Sequence, residues 1–365
     1  MMTDLTSRFI ALVELVARYR IALLFTACAS LGAAGAWLVA GMAFRERLLD
    51  TPNERSSHTV ATPRGGGVGI LAAFIMAGFT LRIPTTFMFA AILISGASFY
   101  GDYFRMSVRS RLVFQVISAV ILLFPLLPRL SAHYALSTFG FPSYVFFLIL
   151  PLIFIFLIGT ANFYNFMDGI NGIAGLSGVI GFGLLGLCTL YRPSPDAFQT
   201  ALSLLSVCVA LACLGYLPFN MPRARVFMGD VGSILLGFVF AGLVVTLARN
   251  DLEMVCFAAL LFPCYADELT TMVIRLRNRE NLIRSHRRHL YQLLVNEFGM
   301  PHWKVSSIYG AAQLSIGGGV LAVYPFGVGV VLVFLTACFA GFTLLTVHVR
   351  KIANQRQTAP PLPET

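Results

Sequence analysis

Eleven apolar runs dominate this chain of 365 residues, at approximately 21–43, 66–82, 84–100, 112–129, 143–161, 172–191, 198–218, 229–248, 254–274, 305–323 and 325–348. A helix needs about 20 residues to cross the hydrocarbon core of a bilayer. Inside lipid, each backbone N–H and C=O must be satisfied by the segment that carries it, which a helix achieves. The expected fold is therefore all-α, a polytopic membrane protein with about eleven transmembrane helices. With only 12% charged residues, a water-soluble globular domain is excluded. The runs at 66–82 and 84–100 are tight, and either is short enough to be a half-span. The amphipathic stretch RFIALVELVARYR at 8–20 is expected to lie in the membrane interface, and no cleavable leader is expected. The expected layout is an interfacial segment 1–20, a membrane domain 21–349 and a tail 350–365.

Charge orients these runs. The net charge is +10. Loops after odd-numbered runs hold Arg45, Arg47, Arg55 and Arg64, then Arg105, Arg109 and Arg111, then Arg223 and Arg225, then the arginines between 275 and 288. Loops on the other side hold only Arg82, Arg129, Arg192 and Arg249. Lysine and arginine collect on the cytoplasmic side of a membrane. The odd loops and the tail are thus expected to face the cytoplasm, although Arg8, Arg18 and Arg20 then fall outside, against the rule. The basic excess shows no aromatic-interleaved stripe or module of the kind that binds nucleic acid. All seven cysteines fall within the runs, their number is odd and none forms a C-x-x-C pair, which favours buried thiols over metal or redox sites.

The unusual polar sequence sits in five odd-side loops, 44–65, 101–111, 160–171, 219–229 and 275–304. The middles of the runs are almost free of charge. A transporter or channel places ionisable groups near the bilayer midplane. Polar residues gathered at one interface fit an enzyme that joins a membrane lipid to a soluble substrate.

Within NFYNFMDGINGIAG, Asn162, Asn165, Asp168 and Asn171 recur every three residues beside Gly169, Gly172 and Gly175. Residues three apart share a helix face. Their oxygens suit Mg²⁺, and helix capping explains them equally. In FMGDVGS, Asp230 is a helix cap or a second carboxylate of a metal–phosphate site. PRGGGVG at 63–69 is a phosphate cradle of backbone N–H groups or a turn that permits close helix packing; it lacks the G-K-[ST] ending of a P-loop. The cluster His286, Arg287, Arg288 and His289 has no obvious third zinc ligand. It is a phosphate-binding patch or a solvated basic surface.

Taken together, the loops resemble the polyprenyl-phosphate N-acetylhexosamine-1-phosphate transferases, of the glycosyltransferase family 4 type. D-x-P-N-x-R-x-x-H is met by Asp50, Pro52, Asn53, Arg55 and His58. N-x-x-N-x-x-D-G-x-[DN]-G is met by Asn162, Asn165, Asp168, Gly169, Asn171 and Gly172. F-M-G-D-x-G-S is met by residues 227–233. The form SHRRHLYQ is similar to the subgroup that starts lipopolysaccharide O-antigen chains. The chain departs from the family in three places. The usual Asp-Asp pair reads Gly101-Asp102, Asn171 stands where relatives often have Asp, and the usual H-x-H-H reads His289, Leu290, Tyr291, Gln292.

The resemblance implies transfer of an N-acetylhexosamine 1-phosphate from a UDP-sugar to undecaprenyl phosphate, with release of UMP. It places the protein in the bacterial cytoplasmic (inner) membrane, with its active site facing the cytoplasm. The expected cofactor is Mg²⁺, with Mn²⁺ as the alternative, held by Asn165 and Asp230. Asp102, Asp168, Asp230 and His289 are the expected catalytic residues. Asn53, Arg55, His58, Arg64, Asn162, Asn171, Asp267, His286, Arg287 and Arg288 are expected to bind substrate, with the His286–His289 cluster closing over the diphosphate and sugar. The glycines of the 162–175 stretch are expected to give the ligand access. A homodimer is the candidate assembly. The competing readings are a membrane transporter and a catalytically weak scaffold of the same fold, the latter resting on Gly101.

Overall fold

The computed structural model describes residues 2–41, 48–52, 57–104, 106–135, 145–281 and 287–358. The expected residues Asn53, Arg55 and His286 lie outside them. The protein is an all-α multi-pass membrane protein. Its helices are α1 (Met2–Ala40), α2 (Val68–Thr80), α3 (Thr85–Phe104), α4 (Val108–Leu123), α5 (Leu127–Ala135), α6 (Val145–Met167), α7 (Ile173–Leu190), α8 (Ala197–Asn220), α9 (Asp230–Leu247), α10 (Asp251–Ala258), α11 (Phe262–Arg277), α12 (Leu290–Asn296), α13 (His302–Val323) and α14 (Val328–Thr358). Short 3₁₀ turns join α4 to α5 and α10 to α11, so that each pair makes one long apolar rod.

Among the described residues, ten helical segments are long and apolar enough to cross a membrane, against the eleven expected. The difference is the 66–82 run. Gly66 and Gly67 are spent on the turn before α2, and Leu81 closes it, leaving a helix of 13 residues. At 1.5 Å per residue this rod is about 20 Å long, short of the hydrocarbon thickness. The hairpin it forms with α3 still returns to its starting face, because Gly65 and Asp102 both meet the start of α9. Two expected boundaries also move. The 8–20 stretch is continuous with α1, and α14 runs past 349 to Thr358.

Helix α9 is the axis. Its first turn is followed by an unbroken apolar sequence with no polar face, and 94% of its most apolar window is buried. A helix that is apolar all round belongs in the interior of a bundle. Gly237 lets α6 close in: a methyl group there would lie 2.5 Å from the Thr160 carbonyl. In contrast, only 6% of the α14 window is buried, which puts that helix at the periphery. Two short strands, β1 (Leu49–Asp50) and β2 (Thr62–Pro63), pair antiparallel over the end of the bundle from which α9 starts.

Candidate active site

At that end lies a cavity of about 240 Å³ with a mainly polar wall. Asp50, His58 and Arg64 come from the segment before α2, Asn165, Asp168 and Asn171 from the end of α6 and its loop, and Asp230 from the start of α9. Gln292 of α12 and His302 at the start of α13 complete it. Residues more than 200 positions apart therefore line one space, through four of the five polar loops.

The backbone that frames this space is tightly bonded. Phe227 donates to the Pro63 carbonyl at 2.8 Å. Gly65 and Gly66 donate to the Phe227 carbonyl at 3.1 and 2.9 Å, and Gly67 donates to Met228 at 2.9 Å. The N–H groups of the 65–67 glycines are thus consumed by the protein, and the phosphate-cradle reading gives way to close packing. Gly229 requires its lack of a side chain twice over: its φ is +74°, and a Cβ would lie 2.9 Å from the Gly65 nitrogen.

Asp102, buried at the end of α3, does not line the cavity. Its Oδ2 accepts from the Asp230 N–H at 2.9 Å, satisfying one of the open donors at the start of α9. Its Oδ1 lies 3.6 Å from Arg64 and 3.8 Å from Arg111. Arg64 also donates to the Asp102 carbonyl at 2.7 Å. Arg111 pairs through Nη1 with Asp230 Oδ2 and through Nη2 with the Gly101 carbonyl at 3.2 Å, while its buried Nε has no hydrogen-bond partner among the described residues.

Asn165 turns its amide nitrogen to Asp230 Oδ1 at 2.9 Å and to Ser233 Oγ at 2.8 Å. Asp168 faces the cavity, and among the described residues its carboxylate receives no hydrogen bond. Burial, and then the charges of Asp230 and Asp102, push the Asp168 carboxyl well above the usual carboxylate range. Asn171 is held by its backbone: its N–H donates to His302 Nδ1 at 3.2 Å, and its carbonyl accepts from Ser306 at 2.8 Å. The glycines of this stretch pack closely against protein, although Gly169 also lines the cavity, as expected for ligand access. A Cβ at Gly169 would lie 2.4 Å from the Tyr291 hydroxyl, and one at Gly172 would lie 2.7 Å from Met221 Sδ.

Other expected residues sit elsewhere. Asn162 makes a reciprocal amide pair with Gln115 of α4, at 2.8 and 3.2 Å, and does not line the cavity. Asp267 is 1% exposed and is filled by protein donors, with Tyr309 at 2.6 Å and the Leu290 N–H at 3.0 Å. His289 is 2% exposed, 3.4 Å from Asp267 and 3.5 Å from Glu268. Burial alone would lower the imidazole, but Asp267 and Glu268 outweigh it, so its pKa is raised. Arg287 and Arg288 face a different cavity, on the far side of α12. The buried anchor of His289 to α11 turns these arginines away from the carboxylates.

Residues 84–248 match the family model described as glycosyl transferase family 4. Over that segment, which is less than half of its length, the chain is similar to that family. A Bacillus subtilis (strain 168) protein named "Probable undecaprenyl-phosphate N-acetylglucosaminyl 1-phosphate transferase" is 22% identical over 284 residues, covering 73% of this chain and 74% of its own. The "Decaprenyl-phosphate N-acetylglucosaminephosphotransferase" of Mycobacterium leprae (strain TN) is 26% identical over 298 residues, covering 73% of this chain and 75% of its own. A "Phospho-N-acetylmuramoyl-pentapeptide-transferase" of Staphylococcus aureus (strain JH9) is 31% identical over a shorter stretch, 33% of this chain and 36% of its own.

The matched segment carries Asp102, Asn165, Asp168 and Asp230. It also carries Arg111, which the motifs did not single out. Arg111 counted only as one more loop cation, and nothing in the local sequence points to a carboxylate 119 positions away. His302 was missed for the same reason, while Gln292 stands at the last position of the H-x-H-H motif and was noted only as a departure from it. A divalent ion fits one part of this site. Asp168 and Asp230 both face the cavity, and the Asp168 carboxylate receives no hydrogen bond among the described residues; carboxylate oxygens are the donors a hard cation takes. In the observed arrangement Asn165 offers nitrogen to Asp230 and Arg111 occupies the other Asp230 oxygen. Asp168 and, once Arg111 withdraws, Asp230 are the residues that would hold the ion.

Proposed function

We propose that the protein transfers an N-acetylhexosamine 1-phosphate from a UDP-sugar to undecaprenyl phosphate and releases UMP. The observation that carries this reading is the cavity in which Arg64, His58, Asp168 and Asp230 converge at the basic end of a membrane bundle. The names of the relatives support the same chemistry. The SHRRHLYQ form supports a role in starting O-antigen and related envelope polysaccharides. The positive-inside pattern supports an active site at the cytoplasmic face of the bacterial inner membrane.

In this reaction an oxygen of the lipid phosphate attacks the sugar-bearing phosphorus. The P–O bond of the diphosphate breaks, and UMP leaves with the electron pair. The second pKa of a phosphate monoester is about 6, so the nucleophile is already largely ionised at neutral pH and no strong base is required. The main barrier is the approach of anions. Mg²⁺, or Mn²⁺ in its place, would supply charge neutralisation on the diphosphate when bound. Arg64 and His58 face the space where the lipid phosphate must enter. Asp168 and Asp230 would hold the ion, whose charge would offset what raises the Asp168 pKa. Asp102 acts from behind as a positioning residue, fixing Arg64, Arg111 and the first turn of α9.

The test is UMP release by the purified protein with undecaprenyl phosphate and Mg²⁺ across a panel of UDP-N-acetyl sugars. Release with one sugar, lost on adding EDTA or omitting the lipid, supports the reading. Folded protein that releases no UMP with any donor would sink it.

A further inference from the structure

A second cavity, of about 690 Å³, opens on the far side of α12 from the candidate active site. The two cavities share no lining residue: Gln292 of α12 faces one, while Leu293 and Glu297 face the other. Five cations line it: Arg277 at the end of α11, Arg287 and Arg288 before α12, and Arg350 and Lys351 on α14. Glu297 is the only carboxylate among its described lining residues. Arg288 is matched by Glu280. Arg277, Arg287 and Lys351 have no hydrogen bond or ion pair among the described residues. Arg350 donates to Thr271 at 2.9 Å and to the Arg288 carbonyl, yet its buried Nε has no partner among the described residues. Cations that outnumber the carboxylates beside them repel one another, and an anion relieves that cost.

The position of the cavity selects the anion. α11 and α14 are both candidate membrane spans that end at this cavity. Ile274, Leu293 and Val347 share its wall with the arginines. Such a wall matches a charged head joined to an apolar tail at the membrane surface. We propose that this cavity binds the phosphodiester headgroup of an anionic phospholipid, as a site separate from the transferase cavity. Arg277, Arg287 and Lys351 pair with the phosphate oxygens, and Arg350 Nε gains the acceptor it lacks. The inference does not depend on the proposed reaction.

The experiment is a lipid titration of the purified full chain in detergent, read by native mass spectrometry. The probes are phosphatidylglycerol and phosphatidylcholine with the same acyl chains. Phosphatidylglycerol is expected to bind more tightly. Removing one cation from such a contact weakens binding about 5-fold, so Arg277→Gln with Lys351→Gln should lose about 25-fold. The conservative pair Arg277→Lys with Lys351→Arg should restore binding, and Arg279→Gln, outside the cavity, should leave it unchanged. Equal binding of the two lipids, or no loss in the double variant, overturns the proposal. An equal loss in Arg279→Gln also overturns it, by assigning the attraction to diffuse surface charge. Displacement of phosphatidylglycerol by millimolar inorganic phosphate or by a UDP-sugar overturns it in favour of a soluble anion. UMP release is measured on the same variants, so failure of lipid binding and failure of the transferase reading are seen separately.

Discussion

Asp102 at the end of α3 accepts a 2.9 Å hydrogen bond from the backbone N–H of Asp230, the first residue of α9. One buried carboxylate thereby fixes both the helix that presents Asp230 and the arginine that neutralises it. Asp102→Asn keeps an acceptor for that N–H and removes the charge. It should fold with a nearly unchanged thermal midpoint and lose most UMP release. Asp102→Ala removes the cap as well, at a cost of about 1–2 kcal/mol in stability. Thermal unfolding of both variants separates the two effects. Equal loss of stability in Asn and Ala would show that charge, and not capping, is what α9 needs from this residue.

Gly101 bears on the same arginine. A Cβ at position 101 would lie 3.1 Å from Arg111 Nε, the donor that has no partner. Gly101→Asp should give that nitrogen an acceptor and draw Arg111 away from Asp230, freeing a carboxylate oxygen. The Mg²⁺ concentration for half-maximal UMP release is then expected to fall about 3- to 5-fold, the worth of a partly exposed ion pair. Gly101→Ala adds bulk without charge and should not lower it. An unchanged Mg²⁺ requirement in Gly101→Asp would mean that the Arg111 contact does not limit ion binding.

Asp168 should trade stability for function. Its pKa is raised in the fold, so the native state binds the proton more tightly than the unfolded chain does. Its contribution to stability is present below the ordinary aspartate value near ~4 and is lost as pH rises through the raised value. At pH 7.5 without divalent ions, Asp168→Asn should therefore melt at a higher temperature than the unaltered protein while losing transfer. Adding Mg²⁺ should raise the midpoint of the unaltered protein and leave that of the variant nearly unchanged. A lower midpoint for Asp168→Asn would show that the carboxylate is stabilising as it stands.

How far the sequence can be read depends on whether a signal is local. The spans follow from apolar length, and the tight 66–82 run, short enough to be a half-span, is one because two of its positions are turn glycines. Asp168 and Asp230 stand in short motifs rich in glycine, and both reach the cavity. The glycines were legible only in part: Gly169 lines the cavity, yet it and Gly172 also admit protein side chains, because a small residue marks close approach without saying what approaches. Arg111 and His302 were invisible because their roles depend on the packing of helices distant in sequence, whereas Gln292 was visible only as a motif position lacking its histidine. Asp267 and His289 look like site residues for the same reason that they are buried together: ionisable groups at a membrane interface need partners, and these two found each other.

That pair gives the last prediction. Asp267 and Glu268 raise the His289 pKa above its ordinary value, and the charged imidazole ties α12 to α11. The contribution of this pairing is full below the unfolded value near ~6.5 and is lost as pH rises through the folded one. The thermal midpoint of the unaltered protein should therefore decline across that window above 6.5, and His289→Asn should flatten the decline. Asp267→Ala leaves the imidazolium, Tyr309 and the Leu290 N–H without their shared acceptor, at a cost of about 3–5 kcal/mol. Because Tyr291 of α12 donates to the Phe166 carbonyl at 2.7 Å and packs on Gly169, loosening α12 should also disturb the Asp168 loop. UMP release by His289→Asn should then fall at every pH, with KM for the nucleotide sugar raised more than kcat is lowered. A variant that keeps KM and loses only kcat would instead assign His289 a direct part in the chemistry.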